Sequence, residues 1–525
     1  MATTIKVKKT NVSKNPKKEI PFNLHTIILS AIYIIFLFCY GGFHETPIVI
    51  AGIIVFAALW LKKGIRITAS QGIFGIFSLW YLGCSLQNGF FIEYAARGLM
   101  PLVVFGFWIC ISNSNVSKEK ALDIIIEASM WVAIIAIAHC IKKSIDASAL
   151  QRLSLPFDYS NVCGIYFAVM FFLSAGRQSQ FLKRCRFVFL LALVLSQSVG
   201  AIGLFAIVVG CKLIKNKKYI YLGLCIAAAL AMAFLLKGRV IQSMGTFLER
   251  LLQIHDGFMC IIHNPISGIG AGWWELAKQY YQTGFYEAKL IHSSIVAIGV
   301  NSGIVGLALF LTVCILEFKK AYIQKKNILL PIVILLHALV DFSLSFFTVS
   351  VLIILLLPDF EEKTYSVGFA VTKSSASALI LCFLFVLTGI ITYSSFQKKS
   401  VRITSADEVC QSFNESYIYR SSVRLSRIAG GRRYMSGENK NSPKLKKFKY
   451  MPTEMILLDS LNREKRGEYL LSKLEIYPYN TLLKKFIIDG YGEDFEEKAQ
   501  KIASDAGQDG SFFGKILYDL KGENK

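Results

Sequence analysis

Charge is what this sequence has least of. Asp, Glu, Lys and Arg together make up 18% of its 525 residues, whereas 54% are hydrophobic. That balance excludes an ordinary soluble protein of this length and predicts an all-α, polytopic transmembrane helix bundle. Acid is scarcer than base, 35 residues against 58, for a formal net charge of +23. The excess does not point to nucleic acid, because the lysines gather in short connections between apolar runs, as membrane insertion imposes on cytoplasmic loops. Paired cysteine spacing is missing too. Most of the 12 cysteines, among them Cys39, Cys84, Cys140 and Cys163, lie inside apolar runs, which makes them small buried apolar residues rather than a disulfide framework. Cys260 and His263 form a lone C-x-x-H, too little for a metal site. No cleavable signal is expected either, since residues 1–21 are a lysine-rich polar arm with no small-residue cleavage site after a short apolar core.

A helix needs roughly 20 apolar residues to cross a bilayer, and fewer inside a bundle, which gives about thirteen spans over residues 22–395. The stretches 187–196 and 200–214, on either side of Ser198, read as two short spans or as a re-entrant pair, while 328–342 and 346–357 read as two spans. Lys and Arg fall on alternate connections. Lys62, Arg66, Lys118, Lys120, Arg177, Lys183, Lys215, Lys218, Lys319 and Lys320 share one side, whereas the connections near 41–45, 88–93, 197–199 and 343–345 carry no basic residue. The basic side is expected to be cytoplasmic. This places the N-terminus inside and both the polar segment 237–291 and the C-terminal tail outside, with Lys142 and Lys143 as exceptions. Within the tail, 396–450 is a basic linker expected to be partly flexible. Residues 451–525 repeat Leu, Tyr, Phe and Ile at helical spacing, as at Leu470, Leu474, Leu482 and Phe486. That spacing predicts a small helical domain, tetratricopeptide-like in character but with too little self-similarity to establish a repeat.

Chemistry is expected in the segment 237–291 and at its borders, where irregular polar chain rich in Arg, His, Gly and Trp interrupts an otherwise apolar bundle. Arg97, Arg152, Arg239 and Arg250 all fall on the outer side, against the trend of the other basic residues. Guanidinium groups brought together suit a diphosphate, which they hold through paired N–H donors, although any one of them also serves as an ordinary snorkelling side chain. His292, at the start of an apolar run, is either a structural residue or the base that activates a hydroxyl. His337 and Asp341 stand four residues apart near the outer end of a span, as an interhelical hydrogen-bonding pair or as part of the site. Gly268, Gly270 and Gly272 do not form a nucleotide loop, since no strand precedes them and no Gly-Lys-Ser/Thr follows. They predict a tight turn presenting Trp273 and Trp274 to the membrane interface or to a sugar ring.

These residues carry a resemblance. His292-Ser293, nine residues and then Gly303-Ile-Val-Gly306 resembles the His, Asn/Ser, nine-residue, Gly-x-x-Gly signature of the bacterial O-antigen ligase and polymerase superfamily. Arg152 with Pro156 and Asn161, Arg250 followed by Asn264-Pro265-Ile-Ser-Gly268-Ile-Gly270, and His337 to Asp341 are similar to further family segments, so the likeness covers about 152–342. Where the family often has Ser-Arg, this chain has Ser196-Gln197-Ser198. The resemblance implies a metal-independent, cofactor-free glycosyltransferase of the bacterial cytoplasmic membrane. Its donor would be a glycan on undecaprenyl diphosphate and its acceptor a sugar hydroxyl, in cell-surface polysaccharide synthesis. His292 would be the base, Arg152, Arg239 and Arg250 would hold the diphosphate, and the two tryptophans would guide sugar or lipid. Ligase and polymerase differ only in what presents the acceptor and are not separated here. The competing reading is a transporter or flippase of lipid-linked oligosaccharides, which predicts broken helices at mid-membrane depth and internal two-fold symmetry, neither visible in the sequence.

Overall fold

Apolar runs bounded by caps and loop residues become helices, since a backbone in lipid must satisfy its own hydrogen bonds. The computed structural model describes residues 24–399, apart from breaks at 63, 88–91, 115–116, 222, 225–236, 287, 289 and 361–362, and, with further breaks, 463–509. The N-terminal arm, most of the apolar run 219–236, which reads as one of the thirteen spans, and nearly all of the linker 396–450 therefore lie outside the described residues. The helices are α1 (Leu24–Phe38), α2 (Glu45–Trp60), α3 (Ala69–Leu86), α4 (Ile92–Ser112), α5 (Lys118–Asp146), α6 (Ser160–Ala175), α7 (Gln180–Ser196) and α8 (Val199–Lys215). They are followed by α9 (Lys237–His263), α10 (Ser294–Ile323), α11 (Leu329–Ala338), α12 (Phe347–Leu356) and α13 (Phe369–Lys399), and in the tail by α14 (Arg463–Ile476) and α15 (Glu493–Asp509). By length and composition, Lys118–Asp146, Ser294–Ile323 and Ala370–Gly389 can each cross a membrane, and shorter apolar helices pack around them.

The chain on either side of Ser198, expected as two short spans or a re-entrant pair, forms two helices of 17 residues. Ser179 caps α7 by accepting from Leu182 N, so the helix begins ahead of Lys183 and Arg184, whose charges ride on its first turns without breaking it. Conversely, the two spans expected at 328–342 and 346–357 are helices of only 10 residues joined by the 3-10 turn Ser343–Ser345. Each is about 15 Å long, half a hydrocarbon core of roughly 30 Å, so neither crosses alone. The fold is also not purely helical. Ile65–Thr68 pairs antiparallel with Thr364–Val367, Ile65 opposite Val367 and Thr68 opposite Thr364. These β-branched residues follow α2 and precede α13, where two adjacent connections run extended.

The helices gather the basic connections at one end. Lys62 Nζ donates to Asn113 O at 2.9 Å, Lys118 pairs with Asp359 at 2.7 Å and donates to Leu357 O at 3.0 Å, and Lys320 pairs with Glu317 beside Ser70. The opposite end holds Arg97, Arg152 and Arg250. Between the ends lies one large core of Tyr33, Phe107, Tyr166, Phe167, Phe189 and Phe347, all buried. A second core, of Leu252, Cys260, Ile269, Trp273, Trp274, Tyr286 and Val300, joins α9 and the chain after it to the first half of α10. The segment expected to be an irregular loop thus begins as a 27-residue helix, whose residues 252, 256 and 260 recur on one buried face.

Candidate active site

The site forms where α10 begins. Ser293 caps that helix by accepting from Val296 N, which leaves His292 just ahead of it. Gln253, on α9 and 1% exposed, meets His292 twice: its Oε1 lies 2.8 Å from His292 Nδ1 and 3.1 Å from the backbone N. Phe342 packs edge-on against the imidazole with centroids 5.2 Å apart, and the Tyr159 ring lies 6.4 Å away. Burial lowers the His292 pKa to about 4, with Arg250 adding to the fall and Asp341 opposing it, so the ring is neutral at physiological pH.

Asp341, fully buried, is the hub next to it. Its Oδ2 accepts from Tyr159 Oη at 3.1 Å and Asn161 Nδ2 at 3.1 Å, and pairs with Arg250 Nη2 at 3.3 Å. Its Oδ1 takes the backbone N–H of Phe342 at 2.8 Å, and its carbonyl takes both N–H and Oγ–H of Ser294 at 2.9 Å. Asn161 in turn accepts from Arg152 Nη2 at 2.8 Å, while Arg152 Nε donates to Ser196 O at 3.1 Å. Arg250 Nη1 donates to Val340 O at 2.9 Å, and its buried Nε has no hydrogen-bond partner among the described residues. With these donors the Asp341 carboxyl group fixes two guanidinium groups, one directly and one through Asn161, beside the imidazole.

The sequence-predicted residues thus divide. His292, Arg152, Arg250 and Asp341 come together. Arg97 lies apart, paired with Glu45 at 2.9 Å, and the side chain of Arg239 is outside the described residues. His337 and Asp341 do not share a helical face, because α11 ends at Ala338; His337 Nδ1 instead lies 2.7 Å from Ser343 Oγ. Trp273 and Trp274 are not presented outward. Both indoles are buried in the second core, where the turn made by the preceding glycines points them.

The glycines have a structural task. Gly303 has φ 69° and ψ −172°, which breaks α10 and frees the carbonyls of Val300 and Asn301. Ile269 N and Gly270 N donate to these two carbonyls at 2.8 and 3.0 Å, and Ile304 N donates to Pro265 O at 2.7 Å. The Pro265–Gly272 turn therefore completes the interrupted helix, and a Cβ at Gly268 would sit 2.2 Å from Val300 O. Gln87 clamps the turn from α3, donating to Gly268 O and accepting from Ser267 Oγ. Gln253, Tyr159 and Gln87 are absent from the sequence-based list. Gln253 alone left a local signal, three residues after Arg250 on one helical face.

Residues 185–311 match the family model described as O-antigen ligase. This match, over less than half of the chain, supports the resemblance to the O-antigen ligase and polymerase superfamily. The matched segment runs from α7 past Gly306 and contains Arg250, Gln253, Gly268, Gly270, His292 and Gly303, whereas Arg152 and Asp341 come from outside it. No curated protein matches the chain. The match supports ligase-type glycan transfer in surface polysaccharide synthesis, and together with the apolar helices it points to an integral membrane protein.

One cavity adjoins the site. Of about 230 Å³, it is lined at one end by Arg97, Gly272, Leu290 and Ser294, along its length by Phe77, Trp108 and Phe310, and at the other by Glu317, Pro331 and Leu357. Measured along α10, Ser294 to Glu317 is about 35 Å, so this apolar cavity reaches from the site towards the basic end.

Proposed function

We propose that this protein transfers or polymerises a glycan from undecaprenyl diphosphate onto an acceptor sugar hydroxyl, on the outer side of the bacterial cytoplasmic membrane. The observation that carries the reading is a neutral His292 placed beside Arg250 and Arg152 at the end of the bundle away from the basic connections. A sugar hydroxyl needs a base as its oxygen attacks, and a diphosphate leaving group needs cations rather than a proton donor. His292 supplies the first, and Arg250 with Arg152 supplies the second. Metal ion and cofactor have no step in this reading. An arriving diphosphate brings negative charge and raises the imidazole pKa from its low resting value, bringing the base nearer its task once substrate is bound. The apolar cavity beside Ser294 and Leu290 accommodates the donor's polyprenyl chain.

The test is His292→Gln, which keeps a hydrogen-bonding side chain but cannot take up a proton near neutral pH. Transfer from a lipid-linked donor should fall roughly a hundredfold to ten-thousandfold, while donor binding by the purified protein persists. Full transfer activity in this variant would sink base catalysis at His292.

A second reading, movement of lipid-linked oligosaccharide across the bilayer, is favoured by a specific observation. α10 is broken at Gly303, and α11 and α12 are half-length, features the sequence did not display and transporters share. The break, however, is closed by hydrogen bonds from the Pro265–Gly272 turn. Proteoliposomes separate the readings: donor flipping without acceptor-dependent transfer would replace the first with the second.

A further inference from the structure

The hydrogen bonds around Gln253 determine more about His292 than its position. A backbone N–H can only donate, so the atom of Gln253 that faces both His292 N and His292 Nδ1 is the amide oxygen, not the amide nitrogen. That oxygen can only accept, and the imidazole nitrogen 2.8 Å from it must therefore carry a hydrogen. In a neutral ring the hydrogen on Nδ1 leaves the lone pair on Nε2. Gln253 is 1% exposed and sits three residues from Arg250 on the same helix, so its amide is held by the scaffold that also positions the guanidinium.

We propose that Gln253 is a positioning residue for His292, fixing the Nδ1–H tautomer so that Nε2 is the atom that takes the proton of the acceptor hydroxyl. This rests on the glycan-transfer reading above. In the step it serves, the acceptor oxygen bonds to the anomeric carbon as the bond from that carbon to the diphosphate oxygen breaks. The bonding pair leaves with the lipid diphosphate, and the hydroxyl proton passes to Nε2. The resulting imidazolium keeps its Nδ1–H on Gln253 and releases the new proton to solvent before the next turnover. A neutral amide suits this task better than a carboxylate would. It orients the ring without adding charge, so the base remains unprotonated in a site already faced by Asp341, Arg250 and the Tyr159 hydroxyl.

Two variants of the full-length protein in nanodiscs test this. Gln253→Glu is nearly isosteric and still accepts from both N–H groups, but its charge stabilises imidazolium. A base acts only when neutral, so activity falls as pH drops through its pKa, and the Glu variant should show that acid limb displaced upward by about one pH unit or more with activity retained on the alkaline side. Gln253→Leu should lose up to about a hundredfold in kcat with little change in KM for donor. Histidine-selective ¹⁵N NMR, with His292→Gln as the assignment control, should show Nδ1 of His292 protonated in the natural protein and a mixed tautomer in Gln253→Leu. Superimposable pH profiles for Gln253→Glu and the natural protein, or a protonated Nε2 in the natural protein, would overturn the assignment of Gln253 even with His292→Gln inactive. Full activity of His292→Gln would instead remove the base reading, and with it the catalytic use of Nε2, whatever tautomer is observed.

Discussion

Arg250 shows at the scale of one residue why charge alone does not describe the site. Its Nη2 pairs with Asp341 while its Nη1 reaches Val340 O, two partners at angles that a planar fork satisfies together. Lysine keeps the charge but offers one nitrogen. Arg250→Lys should therefore lose one charge-assisted hydrogen bond of about 1.5–3 kcal/mol, tenfold to over a hundredfold in transfer rate if that geometry also holds the diphosphate. Arg250→Ala should in addition destabilise the fold by about 3–5 kcal/mol, because Asp341 is fully buried and loses its cation. Transfer rates and thermal unfolding of both variants check this, and natural activity in the lysine variant would reduce Arg250 to a diffuse positive field.

At the scale of the element, the decisive feature is a helix that is broken and repaired. The ψ of −172° at Gly303, with φ at 69°, lies in a region open essentially to glycine alone, and a Cβ there would sit 2.1 Å from Ile266 O. Gly303→Ala should cost about 1–3 kcal/mol from backbone strain and more from the clash, read as a lower unfolding temperature and loss of transfer together. The control is Gly203→Ala in α8, where a Cβ would meet nothing within 4 Å and helix propensity favours alanine by about 1 kcal/mol. Equal stability of the two variants would mean that the turn and the break can part without consequence. The same element explains the indoles: a turn that must reach Val300 and Asn301 carries Trp273 and Trp274 inward with it.

For the whole molecule the question is which parts share a compartment. Tyr479 of the tail packs against Phe285 of the segment before α10, with ring centroids 5.1 Å apart, and also donates to Ala506 O. The tail and the site therefore lie on one side of the bundle. The sorting of basic connections to the other end makes that side the outer one in our proposal. Cysteines introduced by Phe285→Cys and Tyr479→Cys should cross-link in intact cells under mild oxidation. A membrane-impermeant thiol reagent should label Cys410, which lies outside the described residues, and spare the exposed Cys211 at the basic end. Labelling of Cys211 with Cys410 protected would invert the topology.

The sequence by itself determined what depends on the chain locally. Runs of apolar residues fix most helices, the alternation of lysine-bearing connections predicts which ends lie together, and the His292-Ser293 and Gly303-x-x-Gly306 spacing marks the stretch that carries the family resemblance. It could not determine partners. His292 and Gln253 are 39 residues apart, Arg250 and Val340 are 90 apart, and Tyr159 and Asp341 are 182 apart. No periodicity joins such pairs, since only the packing of α6, α9 and the α11–α12 turn against the start of α10 brings them within hydrogen-bond reach. Hydropathy likewise could not separate two spans from two half-length helices. An apolar run reports that a segment avoids water, whereas the length actually wound into helix depends on where Ser294 and Asp341 anchor the turn between α11 and α12.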